Sequence, residues 1–274
     1  MRALAFAILV TVALPVAAQR NPDELVTAAA AGETARVAGL LDSGFDVNDK
    51  NTLGRTALTA AASEGRIDTV RLLVQRKADV TARDPDGNTA LHAAAKAGYA
   101  NIVTLLLGVG ADPGTRNNEG ETPLFVAAEN GNLESARVLI ERRADPNART
   151  GNGETPLHAA ALHGDGSLVR LLLDRGAEVN LVNKDGEAAL FWAAGAGQLG
   201  AVRVLVEKGA FVNAQDGHGN TALVGAADGG YIEVVKFLLE RKANPSFKNR
   251  EGQTPADVAK ARGYDDISKL LEPR

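Results

Sequence analysis

A segment of 33 residues recurs along the chain without an insertion. Thr56-Ala-Leu-Thr, Thr89-Ala-Leu-His, Thr122-Pro-Leu-Phe, Thr155-Pro-Leu-His, Ala188-Ala-Leu-Phe, Thr221-Ala-Leu-Val and Thr254-Pro-Ala-Asp each begin 33 residues after the one before. Counting back from Thr56 reaches Asp23, which opens a degenerate first unit. Nine residues after each start stands a glycine, from Gly32 and Gly65 through to Gly263. A second glycine column, Gly54 to Gly252, precedes each full start by two residues. A unit this short cannot bury its apolar face alone. Neighbours must lean on one another to bury their apolar sides, so the chain reads as one motif repeated in an array.

Each part of the unit has a local reading. The opening threonine caps a first helix through its side-chain oxygen. Pro123, Pro156 and Pro255 take the first helical position, where a missing N–H costs nothing. Alanine pairs such as Ala93-Ala94 and Ala127-Ala128 keep this helix thin. The glycine that follows ends it in a left-handed conformation. Apolar residues at helical spacing, for example Ile67, Val70, Leu72 and Leu73, predict a second helix. Asp84-Pro-Asp-Gly87 then reads as a tight turn. Two departures mark soft places. Ala188 replaces a capping threonine at a cost of about 1 kcal/mol, and Asp165-Gly166 stands where other units carry an apolar contact.

The pattern Thr-Pro-Leu-His, paired alanines, Gly, paired leucines, Gly-Ala-Asp-Val-Asn and Asp-x-x-Gly resembles the ankyrin repeat family over roughly residues 23–272. The resemblance implies an all-α repeat solenoid of stacked helix-turn-helix units with short β-hairpin loops. One array then fills residues 19–274, with units starting near 23, 56, 89, 122, 155, 188, 221 and 254. The first and last units act as caps. They carry Asp23, Glu24, Glu33 and Arg36 at one end and Asp257, Lys260, Arg262, Asp265, Asp266 and Lys269 at the other.

Residues 1–18 read as an export signal: Arg2, an apolar run from Ala3 to Leu14, then Pro15 and small residues to a cut after Ala18. The run is short for a spanning helix. The chain has no cysteine, which removes disulfides, thiolate metal sites and thiol nucleophiles. It also lacks an Asn-x-Ser/Thr acceptor, because Asn244 is followed by Pro245. Export without either device fits a bacterial periplasm best, with the extracellular medium as the alternative. The formal net charge of −4 argues against a general nucleic-acid binder.

The sequence contains no convergent acid/base set, so it predicts no catalytic residues, no metal site and no cofactor. His92 and His158 fill the fourth place of the Thr-x-Leu-His motif, where a ring nitrogen bonds neighbouring backbone. His163 and His218 are lone and lack ligand-spaced partners. Asp84-x-Asp86-Gly87 lacks the remaining oxygen donors of a calcium loop. Trp192 is read as packing.

Equivalent positions in a stack form ladders. Arg71, Arg137, Arg170, Arg203, Lys236 and Lys269 make a basic one on the second helices. Glu141, Asp174, Glu207 and Glu240 follow its central members at i, i+4 and are expected to neutralise it. The resemblance places partner binding on the concave side, at turn tips and first-helix ends. Those positions are Leu53, Arg55, Ser63, Glu64, Asp86, Asn88, Lys96, Glu119, Glu121, Glu129, Asn130, Asn152, Glu154, Leu162, His163, Asp185, Glu187, His218, Asn220 and Asp228. Glu119, Glu121, Glu129, Glu154, Asp185 and Glu187 have no evident built-in partners and Lys184 is the only base near them. The expectation is a monomeric, non-enzymatic protein-binding scaffold whose acidic groove meets a basic or mixed protein surface. It would hold, inhibit or protect its partner. A secreted effector acting outside the cell is the alternative, and an enzyme is the reading with least support.

Overall fold

The computed structural model describes residues 21–272; the signal reading of residues 1–18 lies outside the described residues. The first helices of the units are α1 (Pro22–Ala31), α3 (Ala57–Ser63), α5 (Ala90–Ala97), α7 (Pro123–Glu129), α9 (Pro156–His163), α11 (Ala189–Gly195), α13 (Ala222–Asp228) and α15 (Pro255–Ala261). The second helices are α2 (Thr34–Asp42), α4 (Ile67–Gln75), α6 (Ala100–Gly108), α8 (Leu133–Glu141), α10 (Gly166–Asp174), α12 (Leu199–Glu207), α14 (Ile232–Glu240) and α16 (Asp265–Leu271). Each first helix packs on the first helices before and after it. The second helices from α2 to α14 form a parallel layer outside them. The fold is a helical repeat solenoid.

The alanines explain the two-layer geometry. Ala60, Ala61, Ala94, Ala127, Ala160, Ala193 and Ala226 are buried, so the first-helix layer closes up on methyl groups. Leucine, valine and isoleucine fill the space between layers: Val70 and Leu73, Ile102 and Leu106, Leu168 and Leu172, Val235 and Leu238 are all buried.

Helix starts follow the sequence. Thr56, Thr122 and Thr221 accept the backbone N–H three residues on. Thr89, Thr155 and Thr254 form reciprocal capping boxes with His92, His158 and Asp257. Ala188 offers no side-chain cap. Two expectations change. The first unit is capped by Asn21, which accepts from the Asp23 N–H at 3.0 Å, so α1 begins before Asp23. Asp23 instead receives the backbone N–H and the hydroxyl of Thr52. Asp165 is a cap rather than a defect, for its carboxylate accepts the Ser167 N–H at 2.8 Å.

The connecting loops are turns, not strands; three isolated bridges, Lys50 with Thr56, Val182 with Ala188 and Gln215 with Thr221, are their only β pairings among the described residues. The first residue of each turn holds it closed. Asp84 Oδ1, for instance, accepts the N–H groups of Asp86 (3.0 Å) and Asn88 (2.8 Å), which is the hairpin role expected of that motif. Gly65 shows why the glycine after the first helix is needed twice over. Its φ is +72°, and a Cβ there would stand 2.6 Å from the Tyr99 ring of the next unit.

Candidate functional site

The turn tips are tied to one another. Asn118 N–H donates to Asp86 carbonyl (3.0 Å), Gly151 to Glu119 (2.7 Å), Lys184 to Asn152 (2.9 Å), Gly217 to Asp185 (2.6 Å) and Arg250 to His218 (2.8 Å). The one break falls where Pro85 has no N–H to give Leu53. Asp86, Glu119, Asn152, Asp185 and His218 therefore sit on a pinned backbone with exposed side chains, and Leu53 is exposed without that tie. Leu53 is 68% exposed.

Two residues further on, Arg55, Asn88, Glu121, Glu154, Glu187 and Asn220 form a second, half-buried row. Here the sequence expectation needs correction, because these groups have partners. Glu121 accepts Asn117 Nδ2 at 2.7 Å, and Glu154 accepts the Thr150 hydroxyl at 3.1 Å. Glu187 accepts Asn183 Nδ2 at 2.9 Å and Trp192 Nε1 at 2.8 Å. Arg55 donates to Ser63 Oγ at 2.6 Å. Asn88 accepts from Asn117, and Asn220 from Asn249. The signal was available: each carboxylate lies four residues after an Asn or Thr that also closes the turn.

The first-helix ends give a third row, with Glu64, Lys96, Glu129, Asn130, Leu162 and His163 exposed. His163 lies against Gly131 of the preceding unit. Asp228 is not free: Arg262 grips it at 2.8 and 3.2 Å.

A hollow of about 650 Å³ opens across three consecutive units on this side. It brings together Arg55, Ser63, Asp86, Asn88, Lys96, Glu119, Glu121 and Glu129 of the predicted set, beside His92 and Asn117. Asn152, Glu154, Leu162, His163, Asp185, Glu187, His218 and Asn220 lie outside it. Lys184 is therefore not the only base near the acids: Arg55 and Lys96 share their cavity. Burial pushes the Glu121 carboxyl above its ordinary range, and the charges of Glu129 and Glu119 add to this against the Asn117 hydrogen bond.

His92 and His158 are structural and buried. The Thr89 N–H reaches His92 Nδ1 at 3.2 Å, and Nε2 lies 3.2 Å from the Glu121 carbonyl. A backbone N–H only donates, so Nδ1 accepts and Nε2 carries the proton. Trp192 meets the His158 ring edge-on at 5.5 Å and is half-buried in the stack.

The outer basic ladder is neutralised only in part, at Arg137, Arg170 and Lys236, and by a different route from the one expected. Arg137 and Lys236 pair backwards with Glu134 (3.5 Å) and Glu233 (2.8 Å). Arg170 crosses to Glu207 of the next unit (3.3 Å), while Asp174 takes Lys208 (2.5 Å). Arg203 stacks over the Phe237 ring at 4.6 Å. No i, i+4 ion pair forms among the described residues.

Among the described residues no group of His, Asp and Glu could hold a metal ion, and no helix is long and apolar enough to cross a membrane. A family model described as ankyrin repeats (3 copies) matches residues 25–117, 83–150, 101–183, 142–216 and 164–249. No curated protein matches the chain.

Proposed function

Because the chain belongs to the ankyrin repeat family, whose members are generally protein–protein interaction scaffolds, we propose that it is a non-enzymatic scaffold that grips a partner protein along its turn tips and first-helix ends. The observation that carries this is the hollow across three units, walled by Asp86, Glu119, Glu121 and Glu129 with Arg55 and Lys96 beside them. Its charged groups come from different units and point at no common reacting atom, the geometry of a recognition surface rather than of a catalytic pocket. The partner presents a predominantly basic or mixed surface, and the encounter weakens as salt rises. The array works as a monomer, exported to the periplasm on the strength of residues 1–18.

The test uses exposed carboxylates, since Glu121, Glu154 and Glu187 also serve the turns. In vivo crosslinking compares the wild type with Glu119→Lys/Glu129→Lys/Asp185→Lys. Loss of a specific crosslinked partner at unchanged helix content supports the reading; an unchanged crosslink sinks it. N-terminal sequencing and fractionation of the same cells check export, for which an uncleaved cytoplasmic product is the adverse result.

A further inference from the structure

A second row of cations differs from the outer ladder. Lys50, Arg83, Arg116 and Arg149 occupy the same place in four consecutive turns, 33 residues apart, and all are exposed. Each is anchored by its side chain to the backbone of the next unit. Lys50 Nζ donates to the Arg83 carbonyl at 2.7 Å and Arg83 Nη1 to the Arg116 carbonyl at 2.6 Å. Arg116 bonds the Arg149 carbonyl, and Arg149 the Val182 carbonyl. Arg83 and Arg116 also hold the glycine carbonyl of their own turn, at 3.3 and 3.1 Å. The anchoring acceptors are neutral. None of the four makes an ion pair among the described residues, whereas Arg137, Arg170 and Lys236 of the outer ladder all do.

The four charges are thus fixed, solvent-facing and without counterions. Their spacing is that of the stacked helices, about 10 Å. A polyproline II segment has three residues per turn and a rise of about 3.1 Å per residue, so every third side chain returns to the same face after about 9 Å. An alternating β-strand would turn every third side chain to the opposite face. We propose that Lys50, Arg83, Arg116 and Arg149 form a docking strip for an acidic polypeptide segment in polyproline II conformation, carrying a carboxylate at every third residue. A polyanion of uniform charge density fits less well. Exposed Asp86 and Glu119 stand three residues after Arg83 and Arg116 and add repulsion to such a chain, and the whole protein is itself acidic.

The proposal rests on the scaffold reading and adds the acidic partner segment to it. The test measures fluorescence anisotropy of a labelled peptide, four Glu-Pro-Pro triplets, against the full chain. Saturable, salt-sensitive binding is expected. Affinity should fall at least about tenfold in Arg83→Gln/Arg116→Gln. It should stay within about threefold of wild type in Arg83→Lys/Arg116→Lys, which keeps the charge as Lys50 does. A peptide of the same composition with its four glutamates adjacent should bind more weakly to the wild type. Equal binding of that control, tighter binding of single-stranded DNA, or no loss in a folded Gln variant overturns the proposal. The wild-type controls decide the matter even where a variant unfolds. The Glu119→Lys/Glu129→Lys/Asp185→Lys variant keeps the strip, so its loss of partner capture and a failure of peptide binding are separate results.

Discussion

The Nε2 of His158 lies 3.0 Å from the carbonyl oxygen of Glu187, 29 residues further along the chain. One imidazole therefore closes the start of its own helix through Nδ1 and the Thr155 N–H (3.1 Å) and pins the turn of the next unit. His92 does the same with Glu121. His158→Ala leaves a backbone donor and a backbone acceptor without partners in a buried place. It is expected to cost about 1–3 kcal/mol, measured as a lower urea midpoint.

The same two rings make stability depend on pH. Burial holds both imidazoles below their ordinary value, against the upward pull of the carbonyl hydrogen bonds. The folded state then binds these protons less readily than the unfolded chain. As pH falls below about 6.5 the unfolded chain gains protons first, so stability drops, and the loss levels off once both states are protonated. Urea midpoints at pH 7, 6 and 5 should fall in wild type (the range is about that of an imidazole titration). In His92→Ala/His158→Ala that slope should be largely absent; an equal slope would assign it to other groups.

Helix α11 is the one first helix without a side-chain cap. Ala188 nevertheless has the extended backbone of the other caps, φ −93° and ψ 164°. Ala188→Thr should therefore supply the missing acceptor without rearrangement and stabilise by about 0.5–1 kcal/mol. A thermal melt would register this as a rise in Tm; a fall would mean that the hydroxyl finds no N–H.

Asp165 is the only side-chain cap in the second-helix layer. Asp165→Ala should cost about 1 kcal/mol. Gly166→Ala next to it should gain about 0.4–1 kcal/mol by restricting the unfolded chain, since the new Cβ fits, meeting Gly200 and Val204 at 3.4–3.6 Å. Opposite signs at adjacent positions, read in one urea series, are the expected outcome.

Arg143 ends α8 with φ +67°, and Lys77 and Lys242 share that conformation, where other units use Gly44, Gly110, Gly176 and Gly209. A left-handed backbone strains a side-chain-bearing residue by about 1 kcal/mol or more, and Arg143 is exposed with little packing to lose. Arg143→Gly should raise the unfolding free energy by up to about 1 kcal/mol. An unchanged or lowered midpoint would show that the side chain compensates for its backbone.

The repeat frame, the helix starts at Thr56 through Thr254 and the structural part of His92 were legible in the residues alone. They depend on interactions within one unit, or on a motif that places its own partner three residues away. The 33-residue period also dictated stacking, since no unit can bury its leucines by itself. Tertiary structure decided which charge meets which. Arg170 passes over the carboxylate one turn ahead and takes Glu207 from the next unit, because its long side chain can cross the gap of about 10 Å to the helix stacked beside it. It decided, too, that Glu187 is already engaged by Asn183 and Trp192, while Arg83 and Arg116 are anchored to carbonyl oxygens and make no ion pair among the described residues. A column of letters gives the spacing of side chains along the chain; the solvent each one faces is set by what the neighbouring unit places beside it.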